Sequence, residues 1–235
     1  MTAEQIMKDL ESHGEEKIRK ILVRHGVKEP FFGVKVEFLK TIQKKVKTDY
    51  QLAKDLFATG NADAMYLAGL IADDAKMTRK DLQDWVQRAV SQNISEYTVP
   101  WVAAGSPLGF ELAKEWIESP VEHVAATGWT TLGHWVSLKP DDQLDLPYLR
   151  SLLKRVAQKM PGAPDRVRYA MNGFVIAAGA YVLPLTQEAL SISKQVGAVT
   201  VNSHETAGRV PDAASHILKI KDKGQLGKKK KMVKC

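Results

Sequence analysis

The sequence NADAMYLAGLIA, residues 61–72, decides the fold class of this chain. Asn61 is a good N-cap, because its side chain can accept hydrogen bonds from the first free amides of a helix. The run from Ala62 to Ala72 is nearly all apolar and has the length of one helix. Apolar residues at helical spacing predict further helices on both sides. They cover residues 18–25, 36–46, 78–89, 108–117, 121–136, 149–156, 167–178 and 186–196.

Tryptophan followed by an apolar residue gives a weak repeat signal. The pairs are Trp85-Val86, Trp101-Val102, Trp116-Ile117 and Trp135-Val136. Their spacing is about half of a two-helix repeat of the HEAT or armadillo size. We therefore predict an all-α, HEAT-like or armadillo-type α-solenoid superhelix, whose function depends on a broad curved face. Burial of tryptophan in any helical protein is the alternative explanation.

A strand-like patch follows the helices. Gly197 to Val201 is rich in β-branched residues, residues 202–205 are turn-like, and Thr206 to Val210 could return. Pro211 then precedes a final helix that starts at Asp212. We predict one β-hairpin over residues 197–211, within a single domain that spans residues 1–220. An irregular loop that covers the end of the solenoid is the alternative.

Positive charge is concentrated at the end of the sequence. The chain carries a formal charge of +7, and residues 221–235, with seven lysines and one aspartate, account for +6. We predict a flexible basic tail at 221–235, in which Lys228, Lys229, Lys230 and Lys231 bind DNA phosphates without sequence specificity. A solubilising tail without a specific ligand is the alternative.

Several classes of protein are disfavoured by the sequence. No apolar stretch is long enough to span a membrane, the N-terminal residues do not resemble a signal peptide, and Cys235 is the single cysteine. We expect a cytoplasmic protein. His123 and His134 do not form a metal-binding pattern and are expected to be packing or surface residues, so we predict no metal site.

Two further groups of residues are candidates for nucleic-acid contact. Arg166 and Arg168 begin a predicted helix, where amides and cations together suit a phosphate. Arg209 lies in the predicted hairpin, where it could enter a minor groove or contact a phosphate. The aromatic residues could line a pocket, although packing in the core is the alternative. They are Tyr97, Trp101, Trp129 and Phe174.

Three segments together resemble a known family. They are HGVKEPFFGV at 25–34 with LKTI at 39–42, EWIES at 115–119, and YAMNGFVI at 169–176. Their order and spacing resemble the AlkC/AlkD superfamily of HEAT-like DNA alkylation repair proteins. The resemblance implies an α-solenoid whose concave face holds duplex DNA. It also implies the activity of the family glycosylases, which excise cationic alkylated purines without a metal or organic cofactor.

The resemblance places the family's catalytic residues on positions that differ here. The family glycosylases carry a tryptophan and, four residues later, an aspartate that stabilises positive charge on the sugar as the base leaves. The matching positions hold Glu96 and Pro100, and an expected arginine falls near Ala125. The late aromatic residue is kept as Phe174. Proline has no carboxylate, so Glu96 is the candidate acid if the protein is active.

The sequence therefore favours a monomeric, non-catalytic protein that binds damaged, bent or branched DNA. The candidate pocket comprises Glu96, Tyr97, Trp101, Trp129 and Phe174. An active alkylpurine DNA glycosylase is the first alternative, and a protein-binding α-solenoid scaffold is the second.

Overall fold

The computed structural model describes residues 1–201 and 210–235. These residues form thirteen α-helices, one π-helical turn and three short 3-10 turns. The α-helices are α1 (Ala3–Ser12), α2 (Glu16–Arg24), α3 (Val36–Val46), α4 (Tyr50–Ala58), α5 (Ala62–Ile71), α6 (Arg79–Arg88), α7 (Val99–Gly105), α8 (Gly109–Trp116), α9 (Glu122–Leu138), α10 (Leu146–Lys159), α11 (Asp165–Tyr181), α12 (Thr186–Val196) and α13 (Ala213–Asp222). The π-helical turn is Ile94–Thr98. The all-α fold class is confirmed for the part of the chain that the structure describes.

The predicted β-hairpin is not supported. Residues 197–201 and 210–211 carry no strand, and residues 202–209, which include Arg209, lie outside the described residues. Val199 packs against an apolar core, and Gly197 ends α12 with a φ of 69°. Val199, one of the β-branched residues that suggested a strand, therefore packs in unit 2, and a lone two-stranded hairpin is marginal by itself.

The described residues divide into two compact units, and the single domain over residues 1–220 stays a prediction. Unit 1 contains Met1–Leu108 together with Lys234–Cys235. Unit 2 contains residues 109–201 and 210–233. Residues of the predicted tail therefore belong to both units.

Helix α5 is the centre of unit 1. Helices α1, α3, α4 and α7 and the π-helical turn all pack on it, which agrees with its apolar composition on every side. A Cβ atom at Gly69 of α5 would lie 2.6 Å from the Cγ2 atom of Thr98. Glycine at this position therefore lets the π-helical turn approach α5 closely.

The family-like loop at residues 25–34 is held by the first turn of α5. The buried Asp63 carboxylate accepts hydrogen bonds from the amides of Phe32 at 2.7 Å, Gly33 at 2.9 Å and Val34 at 3.3 Å. The Ala62 amide donates to the Pro30 carbonyl at 2.9 Å. This segment is therefore a loop that hydrogen bonds fix against the start of α5.

Helices α9 and α11 form the centre of unit 2. Helices α8, α12 and α13 pack around them, and α10 packs on α12. A Cβ atom at Gly128 of α9 would lie 2.7 Å from the backbone nitrogen of Ile117, so this glycine permits the close approach of the end of α8.

No single helix in the described ranges is long and apolar enough to cross a membrane. Asp165–Tyr181 and Leu183–Val196, which are bent by 118° relative to each other, satisfy a test of length and composition only as a pair.

Candidate nucleic-acid interface

The segment that was predicted to correspond to the catalytic helix of the family does not form a regular α-helix. Its first part is the π-helical turn Ile94–Thr98, which leads directly into α7. The amide of Val99 donates to the carbonyl of Ile94, five residues earlier. Pro100 lies in the first turn of α7. Proline has no amide to donate, and its ring clashes with the carbonyl four residues before it, so the wider turn accommodates it.

The only acidic residue in segment 94–105 is Glu96, and its side chain is buried. Glu96 is 7 % exposed, whereas its neighbour Tyr97 is 47 % exposed. Pro100 is buried as well. Neither Glu96 nor Pro100, the two positions considered for a catalytic acid, therefore presents a carboxylate on an open surface.

An aromatic cluster in unit 1 includes a residue that sequence reasoning missed. The Trp101 ring lies 5.9 Å from the ring of Tyr97 and 5.3 Å from that of Tyr66, and it is almost fully buried. The Tyr66 hydroxyl and the Cys235 sulfur are 3.1 Å apart. Burial, and then the contact with Cys235, raises the pKa of Tyr66. No sequence signal marks Tyr66, because it stands within the apolar run of α5.

The other two predicted pocket residues lie in the core of unit 2. Trp129 and Phe174 are 5.4 Å apart between ring centroids, and neither has any exposed surface. The guanidinium of Arg155 lies 5.8 Å from the centroid of the Trp129 ring. As placed, these two rings stabilise unit 2 and present no face to a ligand.

The arginines at the start of α11 are already engaged inside unit 2. The Arg166 amide donates to the Glu122 carboxylate at 2.9 Å, so a side chain occupies the position expected for a phosphate. The guanidinium of Arg166 lies 4.5 Å from the centroid of the Tyr169 ring. Arg168 pairs with Asp165 one turn earlier and is largely buried. The helix start that the sequence predicted is correct, but its anion site is filled.

The lysines of the predicted tail fall into two groups. Lys228, Lys230 and Lys231 are exposed. Lys229 is directed inward and bonds the Val136 carbonyl at 2.9 Å and the Asp141 carboxylate at 2.8 Å. The Lys230 amide donates to the Ser137 carbonyl at 2.8 Å. Lys229 is therefore not available to a phosphate in this arrangement.

Lys234, which sequence reasoning did not single out, is also directed inward. Its side chain is 12 % exposed and bonds the Ala72 carbonyl at 2.9 Å and the Asp74 carboxylate at 2.6 Å. Burial raises the pKa of Asp74 to about 6, although the neighbouring Lys234 opposes this shift. A Cβ atom at Gly105 would lie 2.2 Å from an Asp74 oxygen, so glycine leaves room for the carboxylate.

Lys229 and Lys234 each complete the carboxyl end of a helix. Neither α5 nor α9 has a basic residue in its own last turn. Lys234 bonds the carbonyl of Ala72, the C-cap of α5, and Lys229 bonds the carbonyl of Val136 in the last turn of α9. The last carbonyls of a helix lack partners within it and carry partial negative charge, so an ammonium group there is stabilising.

His123 and His134 both lie in α9 and are partly buried. Among the described residues no three His, Cys, Asp or Glu side chains gather in a way that could hold a metal ion. Burial, with a smaller contribution from Lys230, lowers the pKa of His134 to about 4. His134 is therefore neutral at physiological pH.

Comparison with known proteins identifies the family and the fold. Residues 6–203 match the family described as DNA alkylation repair enzyme. An uncharacterized protein of Listeria innocua and one of Listeria monocytogenes are each 30 % identical over 229 residues, which cover 95 % of this chain and 99 % of each relative.

A solved structure resembles the whole chain. It is 33 % identical, covers 100 % of both chains with a TM-score of 0.91, and is described as a new family of proteins related to the HEAT-like repeat DNA glycosylases with affinity for branched DNA structures. The described helices therefore form a HEAT-like repeat fold, and the chain belongs to the DNA alkylation repair enzyme family.

Proposed function

We propose that this protein is a monomeric DNA-binding protein that recognises branched, bent or damaged DNA and works without a cofactor or glycosylase activity. The observation that carries the proposal is the likeness, along the full chain, to a solved protein with affinity for branched DNA. The chemistry of segment 94–105 supports the second half of the proposal.

A carboxylate close to the sugar accelerates excision of a cationic base, because it stabilises the positive charge that develops on the sugar as the base departs. A displacement of about 1 Å already costs roughly 100-fold in rate. The resemblance assigns the position of the family aspartate to Pro100, and Glu96 is buried on a π-helical turn. A scaffold that has lost this acid can keep its DNA-binding surface without the reaction.

Affinity for phosphates is expected from the exposed cations of the tail, Lys228, Lys230 and Lys231. They contribute through counterion release, which is independent of sequence. Arg209 remains a proposed contact to the minor groove or a phosphate, and its residue range lies outside the described part of the chain.

The first test is equilibrium binding of the full chain to a four-way junction and to a linear duplex of matched sequence, across a salt series. We expect tighter binding to the junction, with a salt slope that corresponds to several phosphate contacts. Arg209→Ala is expected to weaken junction binding. Equal and weak binding to both DNAs would contradict the proposal and would favour the protein-binding scaffold.

The alternative of an active alkylpurine glycosylase is favoured by one observation. Glu96 lies on a π-helical turn, and such turns occur frequently at functional sites. This alternative requires release of free alkylated base from a duplex that contains N3- or N7-methylated purines, and loss of that release in Glu96→Gln. We expect no release from either protein, because the carboxylate is buried.

A further inference from the structure

A cleft of about 270 Å³ in unit 1 borders the start of the π-helical turn, because Ile94 is part of its lining. Lys28, Arg88 and Ser91 line it together with Glu29 and Gly60, and Met65, Val90 and Ile94 complete its lining. A Cβ atom added at Gly60 would have no other atom within 4 Å, so the cleft is open above this residue.

The walls of the cleft are held by hydrogen bonds within unit 1. The amide of Lys28 donates to the Ser91 hydroxyl at 2.8 Å. The guanidinium of Arg88 donates to the Ala58 carbonyl at 2.9 Å and lies 5.9 Å from the centroid of the Phe57 ring. These contacts fix the orientation of Arg88 before any ligand arrives, which lowers the entropy lost on binding.

The charge of the cleft is positive. Lys28 is exposed and forms no ion pair with the described residues. Arg88 has one exposed acidic neighbour, Asp84 at 3.5 Å. The only carboxylate of the lining, Glu29, pairs with Arg19 at 2.5 Å and accepts from the Phe31 amide at 3.2 Å. Its charge is therefore compensated outside the set of lining residues.

Two helices also begin at this cleft. Gly60 immediately precedes the Asn61 cap of α5. Ser91 accepts from the amides of Ile94 and Ser95 through its carbonyl, both at 3.0 Å, and so stands at the start of the helical stretch that includes the π-helical turn. Asn61 and the Pro30 carbonyl already engage the first amides of α5, so this helix end adds partial positive charge to the cleft but no hydrogen-bond donor.

We propose that this cleft binds one backbone phosphate of DNA, with Lys28 and Arg88 as the cationic ligands. A guanidinium with a fixed orientation and a mobile ammonium together suit a phosphodiester. The proposal rests on the proposed DNA-binding function and adds a defined phosphate contact in unit 1. Arg168 and Lys229 were predicted to bind DNA, but each is paired with a carboxylate inside unit 2. The cleft provides a phosphate contact in their place.

The test compares Lys28→Gln with the matched control Lys17→Gln, which also removes an exposed charge, from α2 and outside the cleft lining. We expect Lys28→Gln to weaken binding to the four-way junction roughly tenfold and to lower the salt slope by about 0.9. Lys17→Gln is expected to change neither quantity. Equal effects of the two substitutions would overturn the proposal.

A second measurement does not depend on DNA binding. Amide NMR spectra of the full chain are recorded during titration with inorganic phosphate and, separately, with a dinucleoside monophosphate. Shifts at Lys28, Ser91 and Gln92 with the phosphodiester, reduced in Lys28→Gln, support the cleft as a phosphodiester site. Shifts with inorganic phosphate alone would indicate a site for free phosphate, and no shifts would overturn the proposal.

The two measurements separate this inference from the proposed function. Junction binding by the full chain with unchanged amides in the cleft would retain the function and reject the cleft. Absence of junction preference together with phosphodiester shifts would reject the function and retain the cleft.

Discussion

Asp63 shows how one buried carboxylate organises a loop. Burial raises its pKa, although three backbone hydrogen bonds oppose the shift. Asp63→Ala leaves the amides of Phe32, Gly33 and Val34 without their acceptor. We expect the free energy of unfolding, measured in urea, to fall by about 2–4 kcal/mol. The control Asp84→Ala, on an exposed face of α6, is expected to change it by less than about 0.5 kcal/mol. Similar losses in both variants would contradict this role.

The pKa of Asp81 is shifted in the opposite direction from that of Asp63, and this shift makes the stability of the fold depend on pH. Burial alone would raise its pKa, but hydrogen bonds from Thr78, Tyr50 and Lys54 lower it below its usual range. A carboxyl group whose folded pKa is lowered stabilises the fold above its unfolded pKa of about 3.9, and this stabilisation is lost as the pH falls further. We therefore expect Asp81→Asn to be less stable than the natural protein at pH 7, and the difference to shrink towards pH 3. Urea unfolding at several pH values measures this, and a constant difference would contradict it.

Local partners at the residue scale were visible in the sequence, and distant ones were not. Asn61 accepts from the amides of Asp63 and Ala64, as its position before an apolar run predicted. Thr78 and Asp81 form the expected start of α6 through a reciprocal capping box. The engagement of Lys229 and Lys234 was not predictable, because their partners lie 93 and 162 residues away.

At the scale of elements, periodicity predicted helices but not their irregularities. The spacing of apolar residues does not distinguish a π-helical turn from an α-helical one over five residues. Pro100 was the available signal, since proline within a helical pattern forces a local change. The candidate pocket was only partly predicted, because Trp129 and Phe174 follow the same apolar spacing as core residues and proved to be buried.

Two glycines in central helices of unit 2 should respond in opposite directions to the same substitution. Gly128→Ala places a methyl group 2.7 Å from the backbone of Ile117, which cannot move aside as a flexible side chain can. We expect a loss of about 1–3 kcal/mol in the free energy of unfolding. Gly173→Ala meets nothing within 4 Å and should gain about 0.5–1 kcal/mol from higher helix propensity. Thermal unfolding of the two variants compares them directly, and destabilisation by both would contradict the expectation.

At the scale of the whole molecule, the charge of the tail was predicted and its distribution of roles was not. Composition shows seven lysines in residues 221–235 but cannot separate those that are exposed from those that bond helix ends. The two groups should be separable by experiment, because one acts on DNA affinity and the other on folding.

We expect the combined substitution of Lys228, Lys230 and Lys231 by glutamine to lower the salt slope of DNA binding by about 2–3, with little change in thermal stability. Lys229→Gln and Lys234→Gln should each lower the free energy of unfolding by about 1–2 kcal/mol, because a helix end loses its cation. Salt-dependent binding and urea unfolding, measured on the same preparations, test both expectations. If the triple variant unfolded more readily than Lys234→Gln, the exposed lysines would be the ones that stabilise the fold, and this assignment of roles would be wrong.

The long separation between Ala72 and Lys234 also has a consequence for synthesis on the ribosome. The two residues that meet at the end of α5 are 162 positions apart. At a translation rate of about 5–20 residues per second, roughly 8–30 s pass between their appearance. During that interval α5 has its amino-terminal cap from Asn61 but lacks the ammonium group at its carboxyl end. Unit 1 therefore lacks this contact until Lys234 has been translated, and until then the nascent protein is a less stable form that chaperones and proteases can reach.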